Sequence, residues 1–169
     1  ILVAVKSAYF DSFQWPTPHT KTTTVGEVLK PLMARDGWPG ATAWAKKAND
    51  VGPTIVGGSR KHGGPDLGPT RARAAWLELG VDGRGLANHG PDASTPLHHV
   101  PRLTLEMAAA IQGFPKDWVF YGRKTAAYRQ IGNAFPPPVA AAVGQSIAQA
   151  LAGRSANPRR SSRTVARSA

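Results

Sequence analysis

The sequence predicts an α+β fold, a small and loop-rich body assembled from short helices and short strands. Three observations lead there. Gly and Pro supply 18 and 15 of the 169 residues and are spread through the interior, so turns and irregular loops separate the elements. Apolar, β-branched runs at residues 1–6 and 54–56 are too short for helices and read as strands. Thr24 and Thr104 stand as N-caps ahead of apolar stretches of helical spacing.

Taken in order, residues 1–6 (Ile-Leu-Val-Ala-Val-Lys) form a buried strand and residues 7–24 a loop broken by Pro16 and Pro18. Thr24 caps a helix over 25–33, whose regular part ends at Pro31 because proline has no N–H to donate. Residues 41–48 make a second short helix carrying Trp44, and 54–56 a brief strand. Residues 57–68 are a loop with five glycines. Residues 71–79 are helical, with Gly80 as the stop, and 82–100 return to loop. Thr104 caps a helix reaching about Gln112, ended by Gly113. Gly132-Asn133 reads as a turn. Beyond it Pro136, Pro137 and Pro138 pre-set a final helix through Leu151, with Gly153 just past its end. Val139, Val143, Ile147 and Leu151 recur every fourth residue there, an apolar stripe suited to docking. With so little regular structure, Trp15, Trp38, Trp44, Trp76 and Trp118 are expected as core anchors.

The formal charge is +11, but five of the 21 basic residues lie in 153–169, which has no acidic residue. That Ser-, Arg- and Ala-rich tail is expected to be disordered. The remaining excess of six still favours an anionic partner, nucleic acid first. The chain has no Cys, which excludes a disulfide framework, thiolate metal sites and a thiol nucleophile within it. No apolar run approaches the ~18 residues a membrane span needs. His98 and His99 are adjacent, so their side chains diverge, and no third ligand is near; no metal is expected. In the Gly-rich loop, Ser59, Arg60, Lys61 and His62 offer donors to phosphates or base edges, and Arg71 and Arg73 extend the basic stretch. The same residues also suit a solvated surface loop. A phosphate-binding P-loop is excluded, since no Gly-Lys-Ser/Thr follows the glycines.

Two longer blocks are specific. Arg102-Leu-Thr-Leu-Glu-Met-Ala-Ala-Ala-Ile-Gln-Gly-Phe-Pro115 and Tyr128-Arg-Gln-Ile-Gly-Asn-Ala-Phe-Pro-Pro-Pro-Val139 resemble, in order and spacing, the ninth and tenth signature blocks of the DNA (cytosine-5) methyltransferases. The resemblance implies a small target-recognition lobe over 11–127. Residues 1–10 would then be the end strand of a Rossmann-like α/β catalytic lobe mostly absent from this chain. Residues 128–152 would be the final block and a helix returning to that lobe, and 153–169 the tail. It further implies double-stranded DNA as partner and S-adenosyl-L-methionine as cofactor, held here by Gly132, Asn133 and Ala134. Thr54, before Ile55, resembles the Thr-plus-aliphatic pair of family recognition regions and joins the DNA-contact candidates. From the residues alone, Gly132-Asn133 is simply a turn before a proline-started helix. No catalytic residue is expected in this chain; the nucleophilic Cys would come from an N-terminal catalytic part or subunit. A cytoplasmic, bacterial-type, nucleoid-associated location follows, with no membrane. The chain departs from the pattern where Met107 replaces the capping-box Glu, leaving Glu106 one position early and unable to close the same box. Ala110 replaces a frequent Arg, and Phe135 a frequent Val. A stand-alone sequence-specific DNA-binding module and a decayed gene fragment are the rival readings.

Overall fold

The computed structural model describes residues 1–18, 21–57 and 64–153. Its elements among those residues are helices: α1 (Ser7–Phe10), α2 (Val25–Ala34), α3 (Ala41–Lys47), α4 (Thr70–Glu78), α5 (Leu105–Ile111), α6 (Lys124–Asn133) and α7 (Pro137–Gly153). The chain divides into two compact units. One comprises Ile1–Pro18 with Pro138–Ala169; the other is His19–Pro137.

The second unit holds most of the core. Thr24 starts α2 with a full capping box: its hydroxyl accepts from Glu27 N, and the Glu27 carboxylate accepts from Thr24 N at 2.9 Å. The next free N–H groups of α2 are taken by the residues that follow α3, Gly26 N by Ala48 O at 2.7 Å and Val25 N by Asp50 O at 2.9 Å. Gly26 permits this crossing, because a Cβ there would strike the Ala45 carbonyl. Pro31 does not end α2, contrary to the sequence expectation. Pro31 and Glu27, the residue whose carbonyl loses its donor, are both exposed, while Leu29 and Met33 are fully buried and hold the helix to Ala34.

α5 packs against α2 and α6. Met107 N donates to Thr104 Oγ1 at 3.2 Å, and the Met107 sulfur lies 3.5 Å from Thr104 N. The box that the sequence leaves open is thus closed by a thioether, a weak acceptor. Glu106, displaced from that role, instead forks onto Arg35, the C-cap residue of α2, at 2.5 and 2.7 Å. Gln112 Nε2 then donates to Ile131 O at 3.1 Å, tying the end of α5 to α6.

α6 is absent from the sequence reading. Ala127, Tyr128 and Ile131 are all buried, and that burial carries the helix through Gly132 and Asn133, where a turn was expected. The strands expected at 1–6 and 54–56 are not present, so the α+β expectation is corrected to helices and loops among the described residues. A strand needs a neighbour to pair with, and the only ladder-like pairings among described residues are isolated bridges from Asp36 and Gly37 to Asp92. Residues 1–6 form neither helix nor strand, with Leu2 93% exposed, and α1 falls inside the segment expected as loop. Around 54–56 the alternation survives without a partner: Ile55 is buried between exposed Thr54 and Val56.

Trp38, Trp44 and Trp76 are core anchors as expected, with Trp38 Nε1 donating to Pro96 O and Trp44 Nε1 to Gly80 O. Trp15 and Trp118 are corrected: each is 57% exposed, engaged edge-on or tilted with Phe13 and Phe114 respectively.

The long loop after α4 folds back on itself through Asp82 N to Pro101 O and Ala87 N to Leu103 O, both 2.9 Å. Asp82 is its electrostatic centre, accepting from Arg84 and from Arg102 at 2.9–3.0 Å. The Arg84 hydrogen bond foremost, with Arg102, holds the Asp82 carboxyl well below the usual carboxylate range. A carboxyl depressed by folding stabilises the fold above its unfolded pKa, about 3.9, and that contribution is lost as pH falls below it. Asp82→Asn is therefore expected to lower the thermal midpoint at neutral pH and to flatten its decline below about pH 4. Thermal denaturation of both proteins across pH checks this; parallel curves would refute it.

Candidate nucleic-acid interface

The Gly-rich loop is stapled to α6 at both ends. At its start, Gly57 lies against the last turns of the helix. A Cβ on Gly57 would strike the Asn133 side chain, and a Cβ on Gly132 would strike Gly57 N and the Val56 carbonyl carbon. These two glycines therefore permit backbone-to-backbone contact. At its end, Tyr128 donates from its buried hydroxyl to Asp66 O at 3.0 Å, while Leu67 is fully buried and Leu67 N donates to Gly83 O. Burial, then the charge of Asp66, push the Tyr128 hydroxyl above its ordinary range, so it remains a neutral donor. Gly68, at φ 109°, turns the chain into α4.

The sequence-nominated contacts distribute unevenly over this frame. Thr54 is exposed just before the stem, with neighbouring Ile55 anchoring the segment in the core. Ser59, Arg60, Lys61 and His62 lie outside the described residues. Arg71 is exposed on α4. Arg73 is half-buried, its stem against Gly83 and its Nη2 donating to Thr70 Oγ1 at 3.2 Å. Two residues apart on a helix they point to different sides, so they do not form one patch.

Gly132, Asn133 and Ala134 do not precede a helix start with free N–H groups. Gly132 and Asn133 close α6, and the Ala134 N–H is occupied by Ile131 O at 3.3 Å. The start of α7 offers few donors, since Pro137 and Pro138 have none. What this segment presents is the exposed side chain of Asn133, whereas Gly132 is glycine because residues 56–57 fill the space its Cβ would take.

Sequence reasoning missed two features of this region. Lys124 opens α6 and donates to Leu86 O and Asn88 Oδ1 at 3.0 and 2.8 Å. Arg129 was not nominated at all. The apolar spacing Ala127, Tyr128, Ile131 was the available signal for both, since it marks the helix that carries them. A groove of about 560 Å³ between α2 and α5, walled by Leu32, Leu105, Phe114 and Trp118, contains none of the nominated residues. No helix among the described residues is long and apolar enough to cross a membrane.

A helical lobe with a basic, Gly-rich loop braced on a Gly-Asn helix end is the setting in which the two long blocks sit. The chain belongs to the C-5 cytosine-specific DNA methylase family, whose family model matches residues 9–149. It is 57% identical over 152 residues to the Type II methyltransferase M.NaeI of Lentzea aerocolonigenes, covering 89% of this chain and 37% of that protein. To the Type II methyltransferase M.NgoMIV of Neisseria gonorrhoeae it is 43% identical over 155 residues, covering 89% of this chain and 48% of that protein. A shorter likeness, 45% over 49 residues, reaches DNA (cytosine-5)-methyltransferase 2 of Arabidopsis thaliana, covering 29% of this chain and 3% of that protein. The chain thus spans less than half the length of these relatives. No solved structure matches it significantly.

Proposed function

We propose that this chain is the target-recognising and C-terminal part of a DNA (cytosine-5) methyltransferase, and that methyl transfer to C5 of cytosine needs a Cys nucleophile from a catalytic part outside this sequence. The observation that carries the reading is the family match over residues 9–149 in a chain without a single Cys. Double-stranded DNA is the substrate. The duplex is read by the segment from Thr54 to Arg73, including Ser59, Arg60, Lys61, His62 and Arg71, on a stem that α6 holds in place. Loop residues on a rigid stem suit recognition, because the scaffold fixes where their donors stand.

Gly132, Asn133 and Ala134 supply one edge of the S-adenosylmethionine pocket. The exposed side chain of Asn133 is the polar group that fits this role; Gly132 serves it indirectly, by letting Asn133 and the loop stem share one helix face. When bound, the cofactor supplies the methyl group. This chain contributes the DNA contacts that place the extruded cytosine and the wall that orients the cofactor.

The test is reconstitution. Incubated with duplex DNA and labelled S-adenosylmethionine, the chain alone is expected to incorporate no methyl label. Addition of the N-terminal part of the 57%-identical relative is expected to restore incorporation. Transfer by the chain alone would overturn the proposal, as would a complemented mixture that stays inert while the chain binds DNA, the behaviour of a binding module.

A further inference from the structure

Arg129 is half-buried on α6, and its Nε is sealed from solvent with no hydrogen-bond partner. A guanidinium keeps its charge at every accessible pH, so a buried donor on it that goes unpaired is costly and calls for an acceptor. No ion pair involves Arg129 among the described residues, and the Asp66 carboxylate in the loop stem accepts from Gly68 N at 3.1 Å. Arg129, Gly132 and Asn133 follow at i, i+3 and i+4, which puts them on one face of α6. Residues 56–57 pack on that face, and the Arg129 carbonyl would lie 3.0 Å from a Cβ at Gly57. The Arg129 backbone therefore stands where that loop begins, and the residue is only part-buried although its Nε is sealed.

We infer that Arg129 is an anion-holding residue, and that the anionic oxygen it takes is a DNA backbone phosphate delivered beside the loop stem. The inference rests on the DNA-binding reading above. A cofactor carboxylate offers the same chemistry, and the same face carries Gly132 and Asn133, so the experiment separates the two sources. Phosphate contact here fixes the register of the duplex and carries no sequence information itself.

Binding of a labelled mixed-sequence duplex to the chain, without cofactor and across a salt series, is measured for wild type, Arg129→Gln and Arg129→Lys. The Gln variant is expected to lose roughly three- to tenfold in affinity, with a salt slope shallower by about one, and Lys to restore the slope. Unchanged affinity and slope in the Gln variant would overturn the inference. So would a loss seen only with S-adenosylmethionine present, which assigns the guanidinium to the carboxylate. The Arg129 Nε–H resonance of the wild-type chain, titrated with inorganic phosphate, reads the site independently of variant folding. If the wild type binds no DNA, the DNA-binding reading fails, and that resonance decides alone: a saturable shift upholds the anion site, and no shift overturns it.

Discussion

Gly132→Ala is expected to destabilise the second unit and detach the stem of the Gly-rich loop, although alanine is the better helix former. In an open helix position the substitution gains about 0.5–1 kcal/mol. Here the new Cβ meets Gly57 N, Gly57 Cα and the Val56 carbonyl carbon, all backbone atoms that cannot rotate away as a side-chain tip could. Overpacking of this kind costs typically ~1–3 kcal/mol, so the steric term wins. Gly144 in α7 is the internal comparison, because a Cβ there meets nothing within 4 Å. Thermal denaturation should show Gly144→Ala neutral or slightly raised, and Gly132→Ala lowered by roughly 2–8 °C per kcal/mol lost. DNA affinity should fall with Gly132→Ala alone. Equal midpoints for the two variants would show that the Gly57–Gly132 contact does not hold the stem.

Trp76→Ala should produce the largest loss of stability. The ring is fully buried in the core, with the Gly52 backbone packed close against it. Truncating a buried Trp costs about 3–5 kcal/mol, a large share of the ~5–15 kcal/mol that holds a domain together. Trp76→Phe is expected to cost much less, because Trp76 Nε1 is buried without a partner. Phenylalanine gives up volume but also removes that unpaired donor. Urea unfolding midpoints for the two variants measure the difference. A Trp76→Ala protein within about 1 kcal/mol of wild type would mean that the indole is not in the core.

These two sites mark what local sequence could and could not show. α2, α3, α4, α5 and α7 were legible because their signals are local: a cap at Thr24 or Thr104, prolines at the start of α7, a glycine after α4. α6 was not, because Gly132-Asn133 carries turn chemistry and only the burial of Tyr128 and Ile131 overrides it. The β-branched runs at 1–6 and 54–56 misled for the converse reason. Their composition suits a strand, but a strand is completed by a partner, and the described residues provide none. Met107 shows a subtler shortfall. Residue type says that it cannot replace a carboxylate in a capping box, yet its sulfur comes within 3.5 Å of Thr104 N while Glu106 turns to Arg35 on another helix.

By itself, the sequence determined the family, since two compound blocks of fixed order and spacing need no coordinates to be read. It also determined the helix starts that Thr24, Thr104 and the prolines before α7 mark, and the absence of a thiol from this chain. Only the tertiary structure decided that the loop nominated for DNA and the Gly-Asn segment nominated for the cofactor meet on one face of α6. That meeting depends on Gly57 and Gly132, 75 positions apart, and on an Arg129 whose missing acceptor appears only once its surroundings are in place. Contacts between residues so distant in sequence leave no periodicity along the chain; they exist only where folding has brought two backbones close enough to exclude a methyl group.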